Sequence, residues 1–204
     1  MEREEAVKKI RLLIGKDLVP LANEYSVTIW KSPGKKNKGW AGHVIEHYLG
    51  LPINVGQSPN FGSWELKVVP LKHRGKDLIV KETMAITMID PYNVLNTPFE
   101  ESHLLAKLSK MVAVARIFEN VEETSSIVHS VGFFDLSDPH IYETVRQDYE
   151  ETRRVIGKLG FEALTGKMGV HVQPRTKGAG HGSTSRAFYA RTHFVEHIIG
   201  VRPL

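Results

Sequence analysis

The chain has 204 residues, of which 41% are hydrophobic and 25% charged, and its net charge is +4. A chain of this length can bury one substantial core, so we expect a single domain over residues 1–204. The absence of cysteine excludes disulfides, thiolate zinc sites and cysteine nucleophiles. The mild basic excess is compatible with a polyanionic partner but does not require one.

The first residues alternate charged and apolar side chains and contain no long apolar run. They do not resemble a secretory signal. No run in the sequence approaches the roughly 18 apolar residues of a membrane span. We therefore expect a cytoplasmic protein that does not interact with a membrane.

The first 50 residues predict two helices separated by a basic loop. Residues 2–14 place four apolar side chains at helical spacing: Ala6, Ile10, Leu13 and Ile14. Residues 31–39 combine Pro, Gly and Asn with four lysines, which indicates either a solvated basic turn or a loop that contacts phosphates. A helical pattern returns at residues 40–49, and Gly50 is its expected C-terminal cap.

The next segment predicts a β-hairpin. Residues 51–63 are rich in Pro, Gly, Asn and Ser and indicate a connection. In the following strand, apolar Trp64, Leu66 and Val68 alternate with Glu65 and Lys67, which gives one apolar and one charged face. After a turn at 72–77, residues 78–89 predict a single returning strand of an antiparallel hairpin.

The rest of the chain alternates helices and strands. The predicted elements are a helix over 98–110, strands over 111–118 and 125–136, a helix over 138–160, a strand over 170–174, a basic Gly-rich loop over 175–186, and a final strand and helix within 187–199. Asp138 and the proline after it are a typical helix start. This order predicts a mixed α/β fold.

Glu65 and Lys67 are candidate catalytic residues because side chains two apart on a strand point to the same side. Phosphodiester cleavage needs an activated water and neutralisation of developing phosphate charge, which Mg²⁺ held by carboxylates can supply. A neighbouring lysine can orient or deprotonate the water. The Leu66 carbonyl lies between the two side chains and could also bind the metal. Taken alone, a Glu-x-Lys pair on a strand is weak evidence, so the flanking sequence must decide.

The flanking sequence resembles the MutH mismatch-repair endonucleases and the related GATC-cutting type II restriction enzymes, which belong to the PD-(D/E)xK nuclease superfamily. Similar blocks occur in the same order along residues 38–200: Lys38-Gly39-Trp40-Ala41-Gly42 with Glu46, Pro59-Asn60 with Glu65-Leu66-Lys67, Phe99 to His103 with Lys107, Gln173 to Ala179, and Arg186-Ala187-Phe188-Tyr189. The resemblance implies a restriction-endonuclease-like fold, in which helices flank a mixed central sheet. It also implies a sequence-specific endonuclease of double-stranded DNA that uses Mg²⁺, with Mn²⁺ as an alternative ion.

The resemblance assigns roles to individual residues. The implied catalytic residues are Glu46, Asn60, Glu65, Lys67 and Lys107, and the implied metal ligands are Asn60, Glu65, the Leu66 carbonyl and Glu46. Lys38 and Trp40 would lie at the DNA-facing mouth. Arg175, Lys177, Arg186 and Tyr189 would contact DNA, in part by reading base edges in a groove. Family enzymes act as monomers that dimerise on DNA, so we expect a monomer or a transient dimer.

Two positions depart from the family pattern. Asn60 stands where the family has a metal-bridging Asp, and a neutral amide should bind metal much more weakly. Asn60 could be a substitution introduced to trap uncut DNA, which we favour, or a natural loss of activity, or Glu46 and Glu65 could suffice. Gln173 stands where one branch has Arg, so the recognition sequence is open. A catalytically inactive module that binds DNA is therefore the alternative hypothesis.

A second enzyme hypothesis comes from His43, Glu46 and His47, which form an HxxEH string. Histidines four apart on a helix can share one zinc ion, with the glutamate as a base, as in a zinc metallopeptidase. Glu122 or Glu123 would then be a third ligand. Five-residue strings arise by chance in a chain with 10 histidines, and the nuclease block explains the same stretch.

Overall fold

The computed structural model describes residues 1–51, 59, 62–177 and 184–204. Its helices are α1 (Arg3–Arg11), α2 (Leu18–Glu24), α3 (Trp40–Tyr48), α4 (Pro91–Asn96), α5 (His103–Leu108), α6 (Pro139–Leu159) and α7 (Thr192–Ile198). Its strands are β1 (Trp30–Ser32), β2 (Lys35–Lys36), β3 (Glu65–Arg74), β4 (Asp77–Val80), β5 (Met84–Ile89), β6 (Lys110–Ile117), β7 (Val128–Asp135), β8 (Val172–Thr176) and β9 (Arg186–Ala190). Within these described ranges, every helix is too short or too polar to cross a membrane.

A mixed sheet with the strand order β4-β3-β6-β7 forms the centre of the fold. Strand β3 is parallel to β6, with Glu65 opposite Met111, and antiparallel to β4. A second, antiparallel sheet has the order β5-β9-β8. Helices flank the curled central sheet, which confirms the predicted mixed α/β, restriction-endonuclease-like fold.

Strand β6 is buried on both faces, because its side chains alternate between two hydrophobic cores. Met111, Ala113 and Ala115 face one core, which includes residues of α4 to α7 and the second sheet. Val112 and Val114 face the other core, which includes residues of α1, α2 and α3. The apolar run predicted at residues 111–118 is therefore a central strand.

The predicted hairpin is correct only at its start. Residues 78–89 were expected to form one returning strand, but the strand ends at Val80 and a new strand, β5, begins at Met84. The polar residues Lys81, Glu82 and Thr83 interrupt the apolar alternation there. Strand β5 then leaves β3 and pairs with β9. This change of sheet brings β5 beside the charged face of β3.

Three other local predictions need correction. Ile14 is 47% exposed, because α1 ends at Arg11 and the residue falls outside the helical stripe. The basic segment 31–39 contains the small hairpin β1–β2, with Gly34 at a φ of 74° in its turn. The predicted helix over 98–110 is a short 3-10 turn followed by α5, because the Ser102 hydroxyl accepts from the Leu105 amide and starts a new helix.

The buried His171 predicts how stability depends on pH. His171 lies 3.2 Å from His193, measured between Nδ1 and Nε2, and burial lowers the pKa of His171 to about 4 from 6.5. Between these values the unfolded chain binds a proton that the folded chain does not, so the free energy of unfolding should fall by about 3 kcal/mol as the pH drops from 7 to 4.

The measurement is urea unfolding at both pH values for the wild-type chain and for His171→Asn. The variant should lose about 3 kcal/mol less stability on acidification than the wild type. His129→Asn removes an exposed histidine and is the control. Equal acid sensitivity of the His171 variant and the wild-type chain would contradict the assignment.

Candidate active site

The charged face of β3 opens onto a cavity of about 380 Å³. Helix α3, strand β5, helix α5 and the start of the 177–185 segment complete its wall. Seven of the predicted nuclease-site residues line this cavity: Lys38, Glu46, Glu65, Leu66, Lys67, Lys107 and Lys177. The fold therefore brings together residues that lie up to 139 positions apart in the chain.

Glu65 lies at the centre of this group and is only 1% exposed. Its Oε1 atom lies 2.8 Å from the Lys67 Nζ and 3.4 Å from the Lys107 Nζ. Lys67 shares the face of β3 with Glu65, as its spacing predicts. Lys107 comes from α5, which the parallel pairing of β3 and β6 brings alongside. One carboxylate oxygen thus contacts two ammonium groups.

Lys107 is nearly fully buried, which distinguishes it from the partly exposed Lys67. Burial lowers the pKa of Lys107, and the charges of Lys67 and Lys177 act in the same direction. The Glu65 carboxylate opposes this shift. Lys107 therefore holds its proton less firmly than an exposed lysine does.

Glu46 supplies a second buried carboxylate to the cavity. It lies on α3, whose apolar residues Trp40, Val44 and Ile45 anchor the helix in the core. The Leu66 side chain packs into that same core, which fixes the backbone between Glu65 and Lys67. Two carboxylates and a backbone carbonyl are the oxygen donors that Mg²⁺ prefers, so the described residues fit a hard divalent cation.

Asn60, the fourth predicted metal ligand, lies outside the described residues. The structure therefore does not describe its position relative to Glu65. The expected effect of an amide at this position remains a prediction.

The structure corrects the placement of Trp40. The sequence predicted this side chain at the DNA-facing mouth, but it is 0% exposed and packs in the core beneath α3. The Arg116 guanidinium lies 5.2 Å from its ring centroid. A fully buried indole does not contact DNA, so Trp40 supports the site rather than lining the mouth. Lys38, two residues earlier, is exposed at the cavity wall.

Arg186 was predicted to contact DNA, but its guanidinium is held inside the protein. The residue is 8% exposed, with Nη2 3.1 Å from a Glu162 carboxylate oxygen and its Cζ 5.4 Å from the Phe161 ring centroid. A second hydrogen bond of 3.3 Å reaches the Thr176 hydroxyl. These contacts join β9 to the turn after α6, so the structure gives Arg186 an anchoring position.

Arg175 and Tyr189 lie together on the second sheet. Arg175 is exposed, donates a 2.9 Å hydrogen bond to the Thr83 hydroxyl, and lies 5.7 Å from the Tyr189 ring centroid. Lys177 follows at the cavity wall. Residues 178–183 of the predicted base-reading loop lie outside the described residues.

Two charged residues of the cavity wall, Glu82 and Arg116, belong to none of the predicted motifs. Glu82 is exposed and lies 3.4 Å from Lys81 in the polar break between β4 and β5. Arg116 is buried near the end of β6. Two features of the sequence could have identified these residues: the polar interruption at 81–83 and an arginine inside an apolar strand.

The zinc-site alternative loses Glu123, one of its two proposed third ligands, to other partners. Both Glu123 carboxylate oxygens accept hydrogen bonds from Arg116, and Lys36 forms an ion pair with the same group. The His47 ring stacks on Tyr25, with centroids 6.0 Å apart. Across the described part of the chain, no three acidic, histidine or cysteine side chains form a cluster suited to a metal.

Comparison with known proteins identifies relatives that match nearly the whole chain. Residues 49–148 match the family described as the DNA mismatch repair enzyme MutH. DNA mismatch repair protein MutH of Vibrio campbellii is 27% identical over an alignment of 213 positions. The alignment covers 96% of this chain and 92% of the relative. The MutH proteins of Vibrio cholerae and of a Shewanella species are also 27% identical and cover 97% and 96% of this chain, respectively. They cover 95% and 93% of those two relatives.

Proposed function

We propose that this chain, which is similar to a MutH protein along 96% of its length, is a DNA endonuclease that hydrolyses phosphodiester bonds in duplex DNA at a short sequence. The observation that carries the proposal is the convergence of Glu46, Glu65, Lys67 and Lys107 on one cavity. Two acids from separate elements, with two lysines beside one of them, match what metal-assisted phosphodiester hydrolysis requires.

The metal in this proposal is Mg²⁺, with Mn²⁺ as an alternative. Glu65, Glu46, the Leu66 carbonyl and the side chain at position 60 would hold it. When bound, the ion would supply an activated water and neutralise charge on the phosphate. The lysines beside Glu65 offset the carboxylate charge that the site must bury.

The protein's own contribution to the reaction comes mainly from Lys67. Its ammonium group lies beside Glu65 and borders the cavity, so it can donate hydrogen bonds to a phosphate oxygen or to the attacking water. Lys107 lies deeper and its pKa is lowered, so it is better suited to release a proton to a neighbouring group.

The rims of the cavity provide a surface for the duplex. Lys38 and Lys177 both line the cavity, Lys38 just before α3 and Lys177 just after β8, two residues from Arg175. Lysine contacts to phosphates position a protein on DNA without reading sequence. Arg175 and Tyr189, held on the second sheet, are our candidates for base contacts. The recognition sequence stays open because Gln173 stands where one branch of the family has arginine.

The test of the proposal changes position 60. Asn60→Asp should increase Mg²⁺-dependent nicking of plasmid DNA by about 100-fold or more, because a carboxylate replaces a neutral amide among the metal ligands. Asn23→Asp makes the same change at an exposed site and is the control. Duplex affinity of each variant is measured in parallel, in EDTA.

The outcomes separate the two functions that the sequence left open. Cleavage by the Asn60→Asp chain supports a nuclease whose activity depends on position 60. Tight duplex binding without cleavage in either chain would favour the catalytically inactive DNA-binding module. If neither chain binds duplex DNA, both proposals fail.

A further inference from the structure

The basic hairpin β1–β2 needs an anchor outside its own two strands. Two-stranded hairpins are at best marginally stable alone in water. Strand β1 is exposed along its length, and among the described residues the hairpin pairs with neither larger sheet. Yet it leads directly into Lys38 and α3, which form one wall of the cavity. The contacts that fix the hairpin therefore also fix that wall.

The main anchor is the carboxylate of Glu123, a residue that is 2% exposed and has a φ of 52°. It accepts hydrogen bonds of 2.7 and 3.0 Å from the two terminal nitrogens of Arg116. Lys36 of β2 forms an ion pair with the same carboxylate. Glu123 thus joins the central strand β6 to the hairpin.

Aromatic rings complete this anchor. The Lys36 Nζ lies 5.2 Å from the Phe118 ring centroid and 6.0 Å from that of Trp30. On the other side, Arg116 lies against the buried Trp40, the first residue of α3. Lys36 and Trp40 flank Lys38, so both ends of the segment that carries it are held.

We propose that Glu123 is a positioning residue for DNA binding. It holds the hairpin and Lys38 beside the cavity through Lys36 and Arg116, without touching DNA itself. The proposal rests on the proposed function, because the duplex is the ligand that the basic segment would meet. An acid beside a DNA-binding surface normally opposes affinity. Here the buried acid compensates Arg116, which would otherwise be an unpaired buried charge.

This role predicts a change in DNA affinity that is opposite in sign to the change expected from charge alone. Glu123→Gln removes a buried negative charge from beneath a basic hairpin, which by charge alone should tighten DNA binding. If Glu123 positions the hairpin, the variant should instead bind about tenfold more weakly. Fluorescence anisotropy of a labelled duplex in EDTA, well below the unfolding transition, measures this affinity.

Glu122→Gln is the matched control, since it removes the same charge from the next, exposed residue. We expect it to bind DNA as tightly as the wild-type chain or slightly more tightly. Binding by Glu123→Gln that equals or exceeds that of Glu122→Gln would overturn the proposal. In a cleaving Asn60→Asp background, Glu123→Gln should raise KM and leave kcat within a few-fold, because it touches no reacting group.

A second variant tests the anchor without DNA. Lys36→Met keeps the Arg116–Glu123 pair and should fold, but it loses the ion pair to the hairpin. Trypsin should then cut the native protein after Lys31 and Lys35 several-fold faster. Lys72→Met, an exposed change on β3, should leave those rates unchanged. An unchanged rate in Lys36→Met would refute the anchor, whereas no duplex binding by the wild-type chain would refute the proposed function instead.

Discussion

In a chain that cuts DNA, Lys67→Met should lower the single-turnover cleavage rate by about 10²- to 10³-fold, as loss of one fixed donor to a developing charge does in other enzymes. Methionine keeps the aliphatic stem but cannot donate a hydrogen bond to a phosphate oxygen or to water. Lys67 is half-buried beside Glu65, so the aliphatic stem of Met fits without opening the core.

The experiment is rapid-quench cleavage of a saturating duplex with Mg²⁺, in the Asn60→Asp background if the wild-type chain does not cut. Lys72→Met is the control, because it removes an identical charge from the same strand at an exposed position. It should retain the rate within a few-fold. Duplex affinity in EDTA should change little for either variant. Cleavage by Lys67→Met at the control rate would show that the catalytic lysine is elsewhere.

The local part of the site could be read from the sequence, because it depends on strand geometry alone. Residues two apart on β3 share a face, and the Glu65–Lys67 ion pair of 2.8 Å follows from that. Lys107 lies 42 residues from Glu65, and only the pairing of β3 with β6 brings it within 3.4 Å. Only the family resemblance, and no pattern within the sequence itself, pointed to that contact.

The errors have a common physical origin. Trp40 and Arg186 were predicted to contact DNA because the family resemblance assigned them that role, but both are buried by tertiary contacts in this chain. Trp40 packs against Arg116, and Arg186 pairs with Glu162. Burial of such amphipathic side chains is decided by tertiary packing, which residue type does not reveal.

In the fold, too, local signals in the sequence predicted some elements, whereas tertiary contacts determine others. Long periodic elements such as α6 were predicted nearly to their ends, because the Asp-Pro start and the apolar stripe are local signals. The short helices α2 and α4 were missed, since six or seven residues contain too little periodicity. The separation of β4 from β5 depends on β9, which joins from about 100 residues later.

Asp148→Asn should destabilise the fold by about 2 to 4 kcal/mol, because it disrupts a buried acceptor of three backbone amides. The carboxylate accepts from the amides of Val170, His171 and Val172 at 2.6, 2.8 and 2.7 Å. Both oxygens are used, so the NH₂ group of an asparagine must face at least one amide donor. A buried donor without an acceptor keeps its full desolvation penalty.

Urea unfolding at neutral pH measures the effect, with Glu151→Gln as the control on the same helix. Glu151 pairs with Arg154 at the surface, and such pairs contribute less than about 1 kcal/mol. Asp148 also fixes the start of β8, which carries Arg175 at its other end. The Asp148 variant should therefore lose duplex affinity at urea concentrations where the central sheet is still folded. If duplex affinity and the central sheet are instead lost at the same urea concentration, β8 unfolds together with the core.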